Sequence, residues 1–189
     1  MTQNKYRFDG RSEAEFKVAM KHSHRVECDI IIRIGVMKFK ELGYWLDITP
    51  TGVDFTGNFI RENKKIVNSP DYKIGEDSVE ITRSNNYCNY FFHEKVGKVN
   101  NIIEKKQNIV FINGYDPQKE SSGLWLNAEQ LDKYTKLSVQ RYGIAKQPLT
   151  LKPVYKYKIS DFDGMWFSLP MIDVELPESY ICLLDALEG

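Results

Sequence analysis

Cysteine is scarce and odd in number: Cys28, Cys88 and Cys182 lie far apart in the chain. That excludes a disulfide framework and points to free thiols in a reducing compartment. No apolar run approaches the ~18 residues that a bilayer span needs, and the start, Met1-Thr2-Gln3-Asn4-Lys5-Tyr6-Arg7, has no apolar core of a secretory signal. The expectation is a cytoplasmic protein with no membrane partner. There is no Gly-rich phosphate loop and no dinucleotide fingerprint. Histidine is also rare. His22-x-His24 with Cys28 offers soft ligands but no second ligand pair, so zinc is not expected, and the two histidines read as neighbours of a helix C-terminus that complement its dipole. Cys88 has no catalytic pattern around it, and Asp161-x-Asp163-Gly164 lacks the later ligands of a calcium loop and reads as a turn.

What the chain does have is a globular composition, 42% hydrophobic and 28% charged, in a length of 189 residues that suits one domain. Its net charge is zero, yet the C-terminal third is polarised. Lys133, Lys136, Arg141, Lys146, Lys152, Lys156 and Lys158 follow one another without an acid, interleaved with Tyr134, Tyr142, Tyr155 and Tyr157; from Ile159 onward there are only acids. Two readings fit. The basic, tyrosine-rich block has the cations and rings for DNA phosphates and bases, or the two blocks neutralise each other in the fold.

Patterning gives helix first, then strands, then mixed structure. Ser12 with Glu15 is a capping box opening a helix to about Lys21, and Ile30 to Leu42 is a second helical or mixed segment stopped by Gly43. Trp45–Thr49 and Val53–Ile60 alternate as strands around Pro50-Thr51-Gly52. Tyr90–Lys95 reads as a strand or an extended lead into a helix, Val96–Gln107 as an amphipathic helix, and Asn108–Gly114 as a central strand buried on both faces. Asn127 with Gln130 caps a helix closed near Gly143, and Pro177-Glu178 opens a last one.

Between these lies the most informative stretch, Pro70-Asp71-Tyr72-Lys73-Ile74-Gly75-Glu76-Asp77-Ser78-Val79-Glu80-Ile81-Thr82-Arg83. A two-residue turn at Gly75-Glu76 pairs Ile74 with Asp77, Lys73 with Ser78, Tyr72 with Val79 and Asp71 with Glu80. Directly opposed carboxylates repel unless something compensates, and Mg²⁺ with a substrate phosphate is a natural compensator. A hairpin that carries acids only for solubility, or one shifted by a residue, is the other reading.

Asp71 after Pro70, eight intervening residues and Glu80-Ile81-Thr82 in a second strand resemble the PD-(D/E)xK nuclease superfamily, the restriction-endonuclease-like fold. A helix and a further central strand follow, as they do in that family. The resemblance covers about residues 12 to 115 and implies a mixed α/β domain with a central mixed sheet flanked by helices. Residues 116 to 189 are then a C-terminal elaboration of the same domain. It implies Mg²⁺ held by Asp71 and Glu80, with Glu15 as a helix-borne acid, and hydrolysis of DNA to 5′-phosphate and 3′-hydroxyl ends. One position departs: Thr82 stands where the family usually has lysine. Thr82 can orient water, while Lys95, Lys73 or Arg83 can supply the missing charge, and Lys95 is the preferred substitute. Asp54 is a rival acid, more simply read as bonding nearby backbone, and His93 is either a general base or a packed or DNA-facing histidine. Three functions follow from this: a Mg²⁺-dependent DNA endonuclease, for which a homodimer would cut both strands; a nuclease-fold DNA-binding module without catalysis; or an assembly protein that docks through its polarised C-terminal third.

Overall fold

The computed structural model describes residues 13–51, 70–147 and 151–185. The expected cap at Ser12, the strand Val53–Ile60 and Asp54 lie outside the described residues. The described residues begin with one helix, α1 (Glu13–Leu42), where the sequence suggests two segments. His22 and His24 therefore sit mid-helix, far from the C-terminus that the reading gave them. The α1 stretch from Ile30 to Val36 is buried all round. Ile30, Ile31 and Ile34 pack on the sheet, while Cys28 and Ile32 pack with Tyr180 of a late helix.

Strands β1 (Ile48–Pro50), β2 (Tyr72–Ile74) and β3 (Asp77–Arg83) form an antiparallel meander. β4 (Phe91–Lys95) leads directly into α2 (Val96–Glu104), and β5 (Asn108–Asn113) returns parallel to β3. β6 (Ser121–Leu126) pairs antiparallel with β5, then α3 (Ala128–Tyr142) begins at a complete capping box of Asn127 and Gln130. The remaining elements are β7 (Ala145–Lys146), β8 (Pro153–Lys158), a 3₁₀ turn at Ile159–Phe162, β9 (Trp166–Leu169) and α4 (Glu178–Asp185).

Among the described residues the strands make two sheets. The larger has six strands in the order β1-β2-β3-β5-β6-β9, mixed in direction; the smaller has the order β4-β8-β7. β5 is flanked on both sides and almost wholly buried, as its continuous apolar run requires. The larger sheet is covered by α1 on one face. On its other face Ile109, Phe111, Leu124 and Leu126 share a cluster with Val99 and Ile102 of α2, Leu131 of α3 and the inner residues of the smaller sheet.

The described residues from 116 onward are built into this frame, because β6 and β9 extend the larger sheet and α4 lies against α1. At that contact Gly35 admits the Tyr180 ring: a Cβ there would stand 2.5 Å from Tyr180 Cε2. Tyr180 in turn donates its hydroxyl to the Leu46 carbonyl at 2.6 Å. No helix among the described residues is long and apolar enough to cross a membrane.

Candidate active site

The hairpin has the register that its sequence dictates, with Ile74 opposite Asp77, Lys73 opposite Ser78 and Tyr72 opposite Val79. Gly75 makes this turn with φ +54°. Glu76 after it has no positive φ, which is the II′ pattern with glycine first. Val79 and Ile81 point into the α1 side of the core, so alternation sends Glu80 and Thr82 to the α2 side.

Asp71 stands one residue before β2 and closes the hairpin with its side chain: Oδ2 accepts the Ile81 N–H at 2.7 Å. This brings the Asp71 carboxylate to the same strand segment as Glu80. Burial, reinforced by the neighbouring Glu80 charge and by Glu27, pushes the Asp71 carboxyl up to about 8, against the pull of Lys98 and the Ile81 N–H.

The cation of the site is Lys98, on the first turn of α2. Its Nζ lies 2.9 Å from Glu80 Oε1 and donates to the Ile81 carbonyl at 3.2 Å. Burial opposes the charge, but Glu80, Glu94 and Asp71 outweigh it, so the ammonium is held above the ordinary lysine value. Lys95, the substitute that the sequence suggested, is exposed on β4 and points out of the smaller sheet; the site receives the lysine one helical turn further on. Of the other two bases considered, Lys73 pairs with Glu76 at 3.4 Å and Arg83 donates to Asn85 Oδ1.

Thr82 has a different job from a lysine. Its hydroxyl donates to Glu94 Oε1 at 2.6 Å, tying β3 to the buried carboxylate of β4. The acid that α1 contributes is Glu27, whereas Glu15 lies exposed twelve residues earlier, about 18 Å along a helix axis. Glu27 accepts the Ser23 hydroxyl at 2.8 Å, and burial raises its pKa, with Lys98 and Arg83 opposing and Glu80 adding to the rise. A signal for it was present: Glu27, Ile31 and Ile34 share the helical i, i+4, i+7 spacing, and both isoleucines face the sheet.

No protein-family model matches the chain, and no curated protein or solved structure matches it. The chemistry of the site therefore rests on its own geometry. Glu27, Asp71, Glu80 and Glu94 are four acids that share the field of Lys98, with Arg83 beside Glu27. Two cations against four carboxylates leave a deficit of two charges. A divalent cation would offset that deficit.

Among the described residues no group of three or more His, Cys, Asp or Glu is arranged to hold a metal. Mg²⁺ asks for less than that, since it retains several waters and binds through one or two carboxylates plus substrate phosphate. Glu80 and the Ile81 carbonyl on β3, with Asp71 held against them by its bond to the Ile81 N–H, are oxygen donors that fit it in kind and in charge.

The remaining candidates are dispersed. His93 lies on the outer side of β4 opposite Lys156, where partial desolvation and the Lys156 charge lower its pKa. Lys136 pairs with Asp132 at 2.6 Å and Arg141 with Asp161 at 2.8 Å, so part of the basic block is neutralised, once by the acidic segment. Lys133 lies over the Tyr134 ring. Lys146, Lys152 and Lys158 are exposed on β7, before β8 and at the end of β8. Lys156 sits 3.9 Å from the centroid of the Phe91 ring. Cys28 is buried, which pushes its thiol up to about 12 and makes it a poor nucleophile.

Proposed function

We propose that the protein is a Mg²⁺-dependent DNA endonuclease that hydrolyses phosphodiester bonds at the Asp71–Glu80–Lys98 site. The observation that carries this reading is the crowding of Asp71 and Glu80 on one hairpin with a single lysine 2.9 Å from Glu80. Such an arrangement is costly without a further cation, and the Lys98 ammonium beside it would stabilise negative charge gained at phosphorus. The hairpin register and the parallel β3–β5 pair with α2 between them support the resemblance to PD-(D/E)xK nucleases.

Asp71 and Glu80 would hold the metal, with the Ile81 carbonyl as a third oxygen. Bound there, Mg²⁺ supplies polarisation of the phosphoryl oxygens and a lowered pKa for an attacking water. Lys98 keeps its proton and offers an N–H donor to the phosphoryl oxygen or to that water. Thr82 keeps Glu94 in place beside Lys98, and Glu27 adds negative potential from the α1 side. A lysine arriving from α2 also weighs against a module that lost catalysis through Thr82, because the positive charge is present by another route.

The test is incubation of the purified protein with supercoiled plasmid and with single-stranded DNA, in Mg²⁺, Mn²⁺ or EDTA, beside Glu80→Ala. Metal-dependent nicking or cutting that the variant lacks is the expected result. Intact DNA in every lane overturns the reading.

A further inference from the structure

The smaller sheet presents an outer side that the site does not use. Alternation from the β4–β8 register places Phe91 opposite Lys158 and His93 opposite Lys156 on that side, with Lys95 at its end opposite Val154, which is itself buried. Phe92, Tyr155 and Tyr157 go inward to the core, with Glu94 beside Lys98. The outward set contains four nitrogen-bearing side chains, an aromatic ring and no acid.

Tyr142, at the end of α3, joins it. Its ring meets Phe91 edge-on at 5.5 Å, and the Lys156 ammonium lies 5.6 Å from the Tyr142 centroid. The backbone beneath is fixed, since Ser138 of α3 donates its hydroxyl to the Lys156 carbonyl at 2.8 Å. Tyr90, which is 76% exposed, extends the rim. Neither Lys95, Lys156 nor Lys158 has an ion-pair partner among the described residues, in contrast to Lys136 and Arg141.

We infer that this outer side binds single-stranded DNA, with Phe91 and Tyr142 as a stacking platform and Lys95, Lys156 and Lys158 as its phosphate contacts. The inference rests on the DNA reading of the active site and narrows its substrate to DNA with a single-stranded segment. The physical argument is complementarity. Bases in a duplex are stacked on each other and cannot reach a protein ring, whereas an unpaired strand offers both π-faces and phosphates. A cation already resting on the Phe91 face can exchange that ring for a phosphate and leave the ring to a base. The outer side joins the site by covalent continuity, because Lys95 ends β4 and Lys98 is on the first turn of the helix that follows.

The test is fluorescence anisotropy of labelled oligothymidylate, and of a duplex and an oligouridylate of the same length, all in EDTA so that no cleavage occurs. The full chain is expected to bind oligothymidylate more tightly than either competitor. Phe91→Ala should weaken that binding by roughly 5- to 100-fold, the range for loss of one base stack. Lys156→Gln with Lys158→Gln, two surface changes that leave the core intact, should reduce the salt slope of log K by about 1.4, or ~0.7 for each lost contact. Equal or tighter binding of duplex or oligouridylate, no binding at all, or binding indifferent to both sets of variants overturns the inference. A protein that binds oligothymidylate in this way yet cuts nothing with Mg²⁺ refutes the nuclease reading and leaves this one standing.

Discussion

The crowded carboxylates should be visible in stability before any DNA is added. The Asp71 carboxyl is raised from 3.8 to about 8, first by burial and then by Glu80. A group whose folded pKa exceeds its unfolded one favours the folded state when protonated. Its contribution is complete below the unfolded pKa of 3.8 and is lost as pH rises through about 8. Between those limits each pH unit removes about 1.4 kcal/mol, so from about pH 5 to about pH 7.5 the protein should lose roughly 3 kcal/mol. For a domain of this size that is a fall in Tm of roughly 6–12 °C.

Asp71→Asn isolates this effect. The amide cannot ionise, yet its oxygen still accepts the Ile81 N–H that Asp71 Oδ2 receives at 2.7 Å. Urea unfolding of both proteins in EDTA across this range should show the parent falling more steeply than the variant, by a slope equal to one proton. Near pH 8, added Mg²⁺ should restore the parent's stability, as a ligand of the folded state does, and leave the variant unchanged. Parallel pH profiles for the two proteins would refute both the buried, repelled state of Asp71 and the metal site built on it.

The hairpin was legible because its determinants are local. Gly75 fixes the turn, and a period of two then decides which residues oppose one another. The strand Asn108–Asn113, the Asn127–Gln130 cap and the stop at Gly143 were legible for the same reason. Helix α1 was not, and burial explains why. A helix shows its period through a polar face, but between the sheet and α4 the segment Ile30–Val36 has none, and Ile30-Ile31-Ile32 alone suits a strand equally well. Lys98 escaped for a different reason. On α2 it looks like one more polar residue beside the buried Val99 and Ile102, and only the crossover of α2 between parallel strands β3 and β5 brings it to Glu80. Lys95 and Glu15 suit the site by type, but Lys95 points out of the smaller sheet and Glu15 lies early on a helix longer than expected.

Three further outcomes test the assignments. Lys98→Met should lower the rate of metal-dependent cleavage about 10²–10³-fold, the cost of losing one donor to a developing oxyanion, with DNA affinity in EDTA little changed; quenched-flow cleavage and anisotropy separate the two. Glu27→Gln should raise the Mg²⁺ concentration for half-maximal cleavage by roughly ten-fold or more, as loss of an outer group does, while Glu15→Gln leaves it unchanged in the same titration. Arg33→Met should destabilise the fold by about 3–5 kcal/mol in urea unfolding, as for a buried charge that loses its partner. Arg33 is 1% exposed; its Nε lies 2.8 Å from Asp29 Oδ2, and its remaining nitrogens donate to the Asp116, Pro117 and Lys119 carbonyls. Asp29 also accepts the Tyr115 hydroxyl at 2.7 Å, so this one guanidinium fastens the β5–β6 connection to α1. Arg33→Lys should fail to restore stability, because a single ammonium cannot reach one carboxylate and three carbonyls from one position; full rescue by lysine would show that charge alone, and not the fork, holds the connection.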